Sequence, residues 1–282
     1  MRNGSTPPAA DRPRPRLLAA TGPLFMTELS YVMDCIAEAG YGAAEVMVGH
    51  NDDTRNAAQI LAAAEGAGIQ VPALHGPFLL LLRNVFGRSF AEKTTASMEL
   101  AAEIGADVMV AHAPFRWEVR SRRWLREQTA ELEESTGVTF GMENLFPVAG
   151  RSFSSVITIE EMAQFDSLVM DTSHCAVAQI DLLDMWRALS HKIVHLHVAD
   201  NYGNGKDSHA PMGTGVLDLG RFLREVGESG WAGTITLELD CREYLDSREE
   251  LVSFLARERL KVEAGLAGTL DVPAPRIRQV QA

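Results

Sequence analysis

Histidine and carboxylate side chains follow strand-like apolar runs at several points of this chain. Histidines occur in the segments ALHGPF, VAHAPF and VHLHVAD, and carboxylates occur in GMENLF, MDTSHC, KDSHAP and TLELD. Imidazole mixed with carboxylate, without cysteine, suits Zn, Mn, Fe or Co better than Ca or Mg. The pattern therefore predicts a divalent-metal site, with Zn favoured. Its candidate ligands are His75, His112, Glu143, Asp171, His174, His197, Asp207, His209 and Glu238.

Three of these carboxylates, Glu143, Asp171 and Glu238, lie in apolar strand-like runs. A buried carboxylate is costly unless it is paired or bound to a metal, and three that converge should raise one another's pKa values. A divalent cation would supply the missing positive charge. A single histidine at a strand end is more often hydrogen-bonded than metal-bound, so the interpretation rests on the whole set. Cys175 and Cys241 lie close by in sequence, but strand and turn geometry is expected to aim them elsewhere.

Strand-like and helix-like runs alternate eight times between residues 17 and 267, which predicts an α/β chain folded as a single (β/α)8 TIM barrel. The alternative, a doubly wound open sheet, usually carries a Gly-rich phosphate loop, and the chain has neither GxGxxG nor GxxxxGKS/T. We expect Thr27 to cap the first helix, the second helix to span residues 53–65, and a helix near residues 180–189 to follow the sixth strand. Residues 1–16 and 268–282 are predicted to be tails, the first of them disordered.

The charge of the chain limits the classes of partner. Its 282 residues include 38 acidic and 26 basic side chains, for a net charge of −12. Such a chain repels polyanions unless its basic residues cluster, so duplex DNA is an unfavoured partner. No uncharged apolar run reaches the roughly 20 residues that a membrane span needs. Three scattered cysteines do not suggest a disulfide framework, and we expect a cytoplasmic location.

The segment HAPMGTGVLDLGRFLREVGESGWAGTITLELD resembles the xylose isomerase-like TIM-barrel superfamily in its order of His, Pro, GxG, Asp, a helix and a strand ending in Glu. That superfamily includes sugar isomerases and epimerases, inosose dehydratases and the endonuclease IV type of apurinic-site nuclease. Resemblance to the isomerases and epimerases implies one metal ion on Glu143, Asp171, His197 and Glu238. It also implies that the two glutamates act as acid and base and that His174 touches the substrate.

Resemblance to the endonuclease IV type implies up to three zinc ions, because five further ligands of that type are matched. Those five are His75, His112, His174, Asp207 and His209. Glu143 would then bridge two metals, and His75 and His112 would bind one of these two. Asp171, His197 and Glu238 would hold the second metal, and His174, Asp207 and His209 would hold the third.

His195 lies two residues before His197 in the same predicted strand. It should therefore face the same side of the strand one layer lower, because side chains alternate along a strand. We expect it behind the ligands or in the core.

Substrate contacts are predicted for Phe78, Arg116, Arg120 and Asn144. Phe78 follows His75 by three residues, where an aromatic ring would cover the mouth of the site. The two arginines belong to a cluster after the fourth strand that also includes Arg122, Arg123 and Arg126. That cluster is either a solvated helix face or a clamp for a phosphate or carboxylate of the substrate.

The complete ligand set favours a metal-dependent hydrolase of a phosphodiester or another phosphorylated small molecule, in which a metal cluster activates water. The alternative is a single-metal sugar or sugar-phosphate isomerase or epimerase, in which a proton moves through an enediolate between Glu143 and Glu238. An apurinic-site endonuclease and a non-catalytic barrel that binds a metabolite are further alternatives. The catalytic residues in these hypotheses are Glu143, Glu238 and His174.

Overall fold

The computed structural model describes residues 14–78, 82 and 84–270 of the chain. The strands in that part are β1 (Arg16–Ala20), β2 (Ala43–Met47), β3 (Gln70–His75), β4 (Val108–His112), β5 (Thr139–Glu143), β6 (Leu168–Asp171), β7 (Ile193–Val198) and β8 (Thr234–Leu237). All neighbouring strands are parallel, and β1 pairs with β8 to close a barrel. The prediction of a single (β/α)8 TIM barrel is confirmed.

Helices connect the strands on the outside of the barrel. In the described ranges they are α1 (Leu29–Glu38), α2 (Ala57–Ala67), α3 (Phe90–Glu103), α4 (Val119–Thr136), α5 (Ile159–Met162), α6 (Thr172–Ala178), α7 (Leu182–Leu189), α8 (Leu219–Ser229) and α9 (Arg248–Leu266). Several begin at a side chain that accepts a hydrogen bond from the first turn, such as Asn56 before α2 and Ser89 before α3. Gly68 caps the C-terminal end of α2, and its φ of 68° suits a residue without a Cβ.

Three local predictions differ from the structure. The residue at the N-cap of α1 is Glu28 and not Thr27. The second helix starts at Ala57, because Asp52–Thr54 form a separate 3-10 turn. The unpredicted helix α6 follows β6 at once, because the carboxylate of Asp171 caps it. With only seven residues, α6 is too short to show a clear helical period in the sequence.

The predicted tails lie largely beyond the part of the chain that the structure describes. β1 begins at Arg16, one residue before the expected start of the barrel. Residues 1–13 and 271–282 lie outside the described residues. None of the helices in the described ranges is long and apolar enough to cross a membrane.

Strand register decides which side chains meet inside the barrel. His112 of β4 lies opposite Glu143 of β5, and Asp171 of β6 lies opposite His197 of β7. Because side chains alternate along a strand, His195 and His197 both point inward at two depths of the barrel interior. The register therefore brings imidazoles and carboxylates from neighbouring strands into direct contact.

Candidate metal centre

The nine predicted ligand residues lie together at the carboxyl-terminal end of the barrel. Four of them end consecutive strands: His75, His112, Glu143 and Asp171. The others are His174 in α6, His197 in β7, Asp207 and His209 in the loop after β7, and Glu238 directly after β8. Eight of the nine, all but Asp207, form three adjoining groups of potential ligands that share Glu143 and Asp171. This end of a TIM barrel is where active sites lie.

The first group consists of His75, His112 and Glu143. Oε2 of Glu143 lies 2.6 Å from Nε2 of His112 and 3.4 Å from Nε2 of His75. The ring of His75 is held from behind, because its Nδ1–H donates to the carbonyl oxygen of Gly76 at 2.8 Å. Two imidazole nitrogens therefore face one carboxylate oxygen.

The second group consists of Glu143, Asp171, His197 and Glu238, all of them buried. Nδ1 of His197 lies 2.9 Å from Oε1 of Glu143, 3.1 Å from Oε2 of Glu238 and 3.8 Å from Oδ2 of Asp171. One ligand atom from each residue lies within 4.8 Å of the others. Metal–ligand bonds of about 2.0–2.2 Å can span that spacing.

The third group consists of Asp171, His174 and His209, with Asp207 beside it. Oδ2 of Asp207 lies 2.8 Å from Nε2 of His209 and 3.3 Å from Nε2 of His174. The Nδ1–H groups of these two histidines donate to backbone carbonyl oxygens at 2.9 and 2.8 Å. Backbone acceptors thus orient both rings so that their Nε2 atoms face the carboxylate of Asp207.

Some of these atoms are buried without a hydrogen-bond partner. Within the described residues, three such atoms belong to the cluster: Nε2 of His112, Oε2 of Glu143 and Oδ2 of Asp171. The first two are only 2.6 Å apart, yet they do not meet with hydrogen-bond geometry. A buried polar atom left unpartnered costs about 1–3 kcal/mol. Lone pairs that converge in this way fit a bound cation, so the buried His, Asp and Glu groups could hold a divalent metal.

The expected rise of all three carboxylate pKa values occurs only in Asp171. Burial raises the pKa of Asp171 to about 6. Burial acts in the same direction on Glu143 and Glu238, but nearby histidines outweigh it and lower both pKa values. The prediction was wrong for these two glutamates, because it set the carboxylates against one another and left out the imidazoles between them.

Two of the predicted substrate-contacting residues lie directly beside the ligands. The ring of Phe78 stacks on His75 with centroids 5.6 Å apart and meets the edge of His112 at 4.6 Å. Asn144 is fully buried, and its amide group binds the backbone of Asp171, accepting from the amide at 2.7 Å and donating to the carbonyl at 3.2 Å. Contact of Phe78 and Asn144 with substrate remains a prediction.

Two arginines of the cluster form ion pairs with neighbouring glutamates. Arg116 forms an ion pair with Glu161, and Arg123 pairs with Glu127 one turn along α4. Arg120 is exposed. The role of Arg116 and Arg120 as a clamp remains a prediction, and the pairing of Arg123 agrees with a solvated helix face.

The two nearby cysteines lie outside the ligand groups. Cys175 and Cys241 are buried and free, and neither belongs to a ligand group found in the described part of the chain. This agrees with the expectation that they point away from the ligands.

Two buried carboxylates near the site were not predicted from the sequence. Glu45 of β2 accepts hydrogen bonds from Nε2 of His195 at 2.8 Å and of His197 at 3.1 Å. Asp200 lies in the loop after β7 and is fully buried. Glu45 was detectable, because it is a carboxylate in the apolar run AAEVMV, the same signal that identified Glu143. His195 lies behind His197, as expected.

Asp200 organises the loop that carries Asp207 and His209. Its carboxylate accepts hydrogen bonds from four backbone amides at 2.8 to 3.1 Å, those of Asn201, Gly213, Gly215 and Leu217. A Cβ at position 215 would lie 2.1 Å from the carbonyl oxygen of Asn201, which explains the second glycine of the GTG segment. His209 has a φ of 40°, a conformation that costs a non-glycine residue about 1–3 kcal/mol. The loop therefore holds a strained histidine in place.

The chain is similar to uncharacterized proteins of mycobacteria. It is 28% identical over 251 residues to one from Mycobacterium leprae (strain TN). It is 27% identical over 251 residues to one from Mycobacterium tuberculosis (strain ATCC 25618 / H37Rv). Each match covers 81% of this chain and 90% of the relative.

Solved structures share the fold at low sequence identity. A D-tagatose 3-epimerase-like protein is 21% identical, with a TM-score of 0.66, over 88% of this chain and 99% of that one. An L-ribulose 3-epimerase is 15% identical, with a TM-score of 0.69, over 91% of this chain and 96% of that one. The model of a family described as a xylose isomerase-like TIM barrel matches residues 33–261. The chain therefore belongs to the xylose isomerase-like TIM barrel family.

Proposed function

We propose that this protein is a metal-dependent isomerase or epimerase that acts on a small sugar-like ketose or its phosphate. The observation that carries the proposal is the placement of two glutamates around one histidine nitrogen. The carboxylates of Glu143 and Glu238 come from β5 and the end of β8, and both lie within 3.1 Å of Nδ1 of His197. Two carboxylates that share one small space can take a proton from a bound substrate and return it.

The residues that would hold the metal are Glu143, Asp171, His197 and Glu238. Their donor set suits Zn, Mn, Fe or Co. When bound, a divalent ion polarises a substrate carbonyl and its neighbouring hydroxyl, which makes the adjacent C–H group more acidic.

The chain's own residues would then move the proton. One of the two glutamates removes a proton from the carbon next to the carbonyl, which leaves an enediolate. The other glutamate returns a proton. Its return to the former carbonyl carbon gives an isomer, with the hydroxyl proton of the first carbon moving to the former carbonyl oxygen. Its return to the opposite face of the same carbon gives an epimer. Phe78 borders His75 and His112 and would exclude water from one side of the substrate. His174 would contact a substrate hydroxyl.

The comparisons support this hypothesis better than the phosphodiester hydrolase that the ligand count favours. The family is the xylose isomerase-like TIM barrel family, and the names of two proteins with this fold describe a 3-epimerase and a 3-epimerase-like protein. Those names belong to those proteins. They direct the first substrate screen toward ketoses and ketose phosphates.

The test is exchange of a substrate C–H proton with solvent. In D2O, wild-type protein loaded with Zn or Mn should incorporate deuterium into a reacting ketose, and Glu238→Gln should abolish that incorporation, as followed by proton NMR. The control is Glu225→Gln, the same change on the outer surface, where the carboxylate binds Arg187. Glu238→Gln that keeps its metal and still exchanges the proton would contradict the proposal.

A second candidate function is hydrolysis of a small phosphodiester by a three-metal site. It is favoured by the two further ligand groups, around His75 with His112 and around His174 with His209. Elemental analysis of protein purified without chelator should then give three ions per chain and not one. His209→Ala should remove one ion and most of the phosphodiesterase turnover. A single ion per chain, before and after Zn is added, would rule this candidate out.

A further inference from the structure

A second cluster of histidine and carboxylate lies deeper in the barrel, below the ligands. Oε2 of Glu45 accepts three hydrogen bonds, from Nε2 of His195 at 2.8 Å, Nε2 of His197 at 3.1 Å and Oγ1 of Thr236 at 2.9 Å. All four residues are almost completely buried. β2, β7 and β8 thus meet at one carboxylate oxygen inside the barrel.

His197 belongs to both clusters. Its Nδ1 faces the carboxylates of Glu143 and Glu238, while its Nε2–H donates to Glu45. His75, His174 and His209 are arranged differently, because each donates its Nδ1–H to a backbone carbonyl oxygen. Among these four ligands, His197 is thus the one whose rear nitrogen meets a charged side chain.

Every ring nitrogen of the deeper cluster has a hydrogen-bond partner. Oγ1 of Thr234 lies 2.5 Å from Nδ1 of His195, so that ring has partners at both nitrogens. Among the described residues, none of the buried atoms without a hydrogen-bond partner belongs to Glu45, His195, His197 or Thr236. Glu45, His195 and His197 are also close enough together to hold a metal ion, but, unlike the ligand groups above them, they leave no unpartnered buried atom for a cation to satisfy. The ring of His197 connects this cluster to the candidate metal centre.

We propose that Glu45 is a positioning residue that holds His197 with its proton on Nε2 and its Nδ1 lone pair directed at the metal. The inference rests on the metal centre of the proposed function. A neutral imidazole carries one N–H, so an acceptor fixed at Nε2 determines which nitrogen can bind a metal. A carboxylate acceptor also makes the ring a stronger ligand than an amide acceptor would.

The test compares cobalt binding by wild-type protein and Glu45→Gln. Cobalt(II) is titrated in competition with a chromophoric chelator, and its visible absorption spectrum reports the ligand field. Glu45→Gln should weaken cobalt binding about 10- to 100-fold and shift the visible bands. The matched control is Tyr41→Phe, which removes a buried hydrogen bond to the carbonyl of Leu255 at the other end of the barrel. Tyr41→Phe should lower thermal stability and leave cobalt affinity unchanged.

The outcomes separate this inference from the proposed function. Wild-type protein that binds no cobalt would overturn the metal centre and this inference with it. Wild-type and Glu45→Gln proteins that bind cobalt equally well, with the same spectrum, would overturn this inference alone. If Glu45→Gln does not fold, long-range proton–nitrogen NMR of the zinc-loaded wild-type protein decides. The ring of His197 should carry its proton on Nε2, and a proton on Nδ1 would overturn the inference.

Discussion

The barrel interior contains two levels built from the same residue types. The ligand level consists of the nine candidate metal ligands. The Glu45 level consists of the residues of the deeper cluster that are not candidate ligands, together with Thr234: Glu45, His195, Thr234 and Thr236. At the ligand level, three buried atoms lack hydrogen-bond partners, whereas the described residues of the Glu45 level have none. Residue type and burial are therefore alike at the two levels. The levels differ in whether their buried polar atoms find hydrogen-bond partners without a cation.

The largest expected effect comes from breaking the ligand level at Glu143. This carboxylate belongs to two ligand groups, so Glu143→Ala should lower metal content per chain and reduce proton exchange by about 1,000-fold or more. Elemental analysis and the deuterium-exchange assay measure the two effects. Glu127→Ala, an exposed change on α4, is the control and should alter neither. Full metal content in Glu143→Ala would mean that the ligand level is wrongly assigned.

A smaller effect is expected at the Glu45 level from His195→Ala. The variant leaves a cavity and removes one donor to Glu45, so the free energy of unfolding of the chelator-treated protein should fall by about 2–4 kcal/mol in urea titrations. Cobalt affinity should stay within about threefold of wild type, because the bond between Glu45 and His197 remains. An affinity loss as large as that of Glu45→Gln would erase the distinction between the two levels.

The smallest effect is an increase in stability, and it is expected for Asp171→Asn. Burial raises its pKa from 3.8 to about 6, so its contribution to stability is fully present below pH 3.8 and is lost as the pH rises through 6. Asp171→Asn carries no charge and keeps an oxygen that can cap α6. Chelator-treated Asp171→Asn should therefore be more stable than wild type at pH 8, by an amount on the order of 1 kcal/mol, and equal to it near pH 4.

Urea unfolding at the two pH values measures that difference. Added zinc should reverse the order at pH 8, because it stabilises wild type through a ligand that the variant lacks. A variant that is less stable at pH 8 without metal would show that the carboxylate of Asp171 is satisfied within the protein.

The fold and the position of the candidate ligands could be predicted because both depend on local patterns. Alternating strand and helix signals define a parallel barrel, and the carboxyl ends of its strands meet at one face. Residues such as His112 and Glu143, each at a strand end, must then lie close together. Helix α6 was not predicted, because its cap, Asp171, was interpreted only as a ligand.

Features that depend on partners across the barrel were harder to predict. Glu45 lies in the middle of β2, away from the strand ends where the active-site residues of a TIM barrel gather. The pKa values of Glu143 and Glu238 depend on how closely His197 approaches them, which spacing along the chain does not give. Asn144 follows Glu143 directly, yet its amide group binds the next strand, and only the barrel register reveals that contact.

The conformation of the loop after β7 depends on only a few of its side chains. Asp200 holds the loop's base, and the amide group of Asn201 binds the backbone of Gly203 at 2.8 Å and of Lys206 at 2.9 Å. The side chains of residues 202–206 are exposed, while Asp207 and His209 follow directly. Apart from the two glycines of that tip and Asn204, whose side chain accepts a hydrogen bond from the amide of Lys206 at 3.0 Å, selection can therefore exchange its residues without moving Asp207 or His209. Related proteins could diverge in the molecules they accept while inheriting the same chemistry.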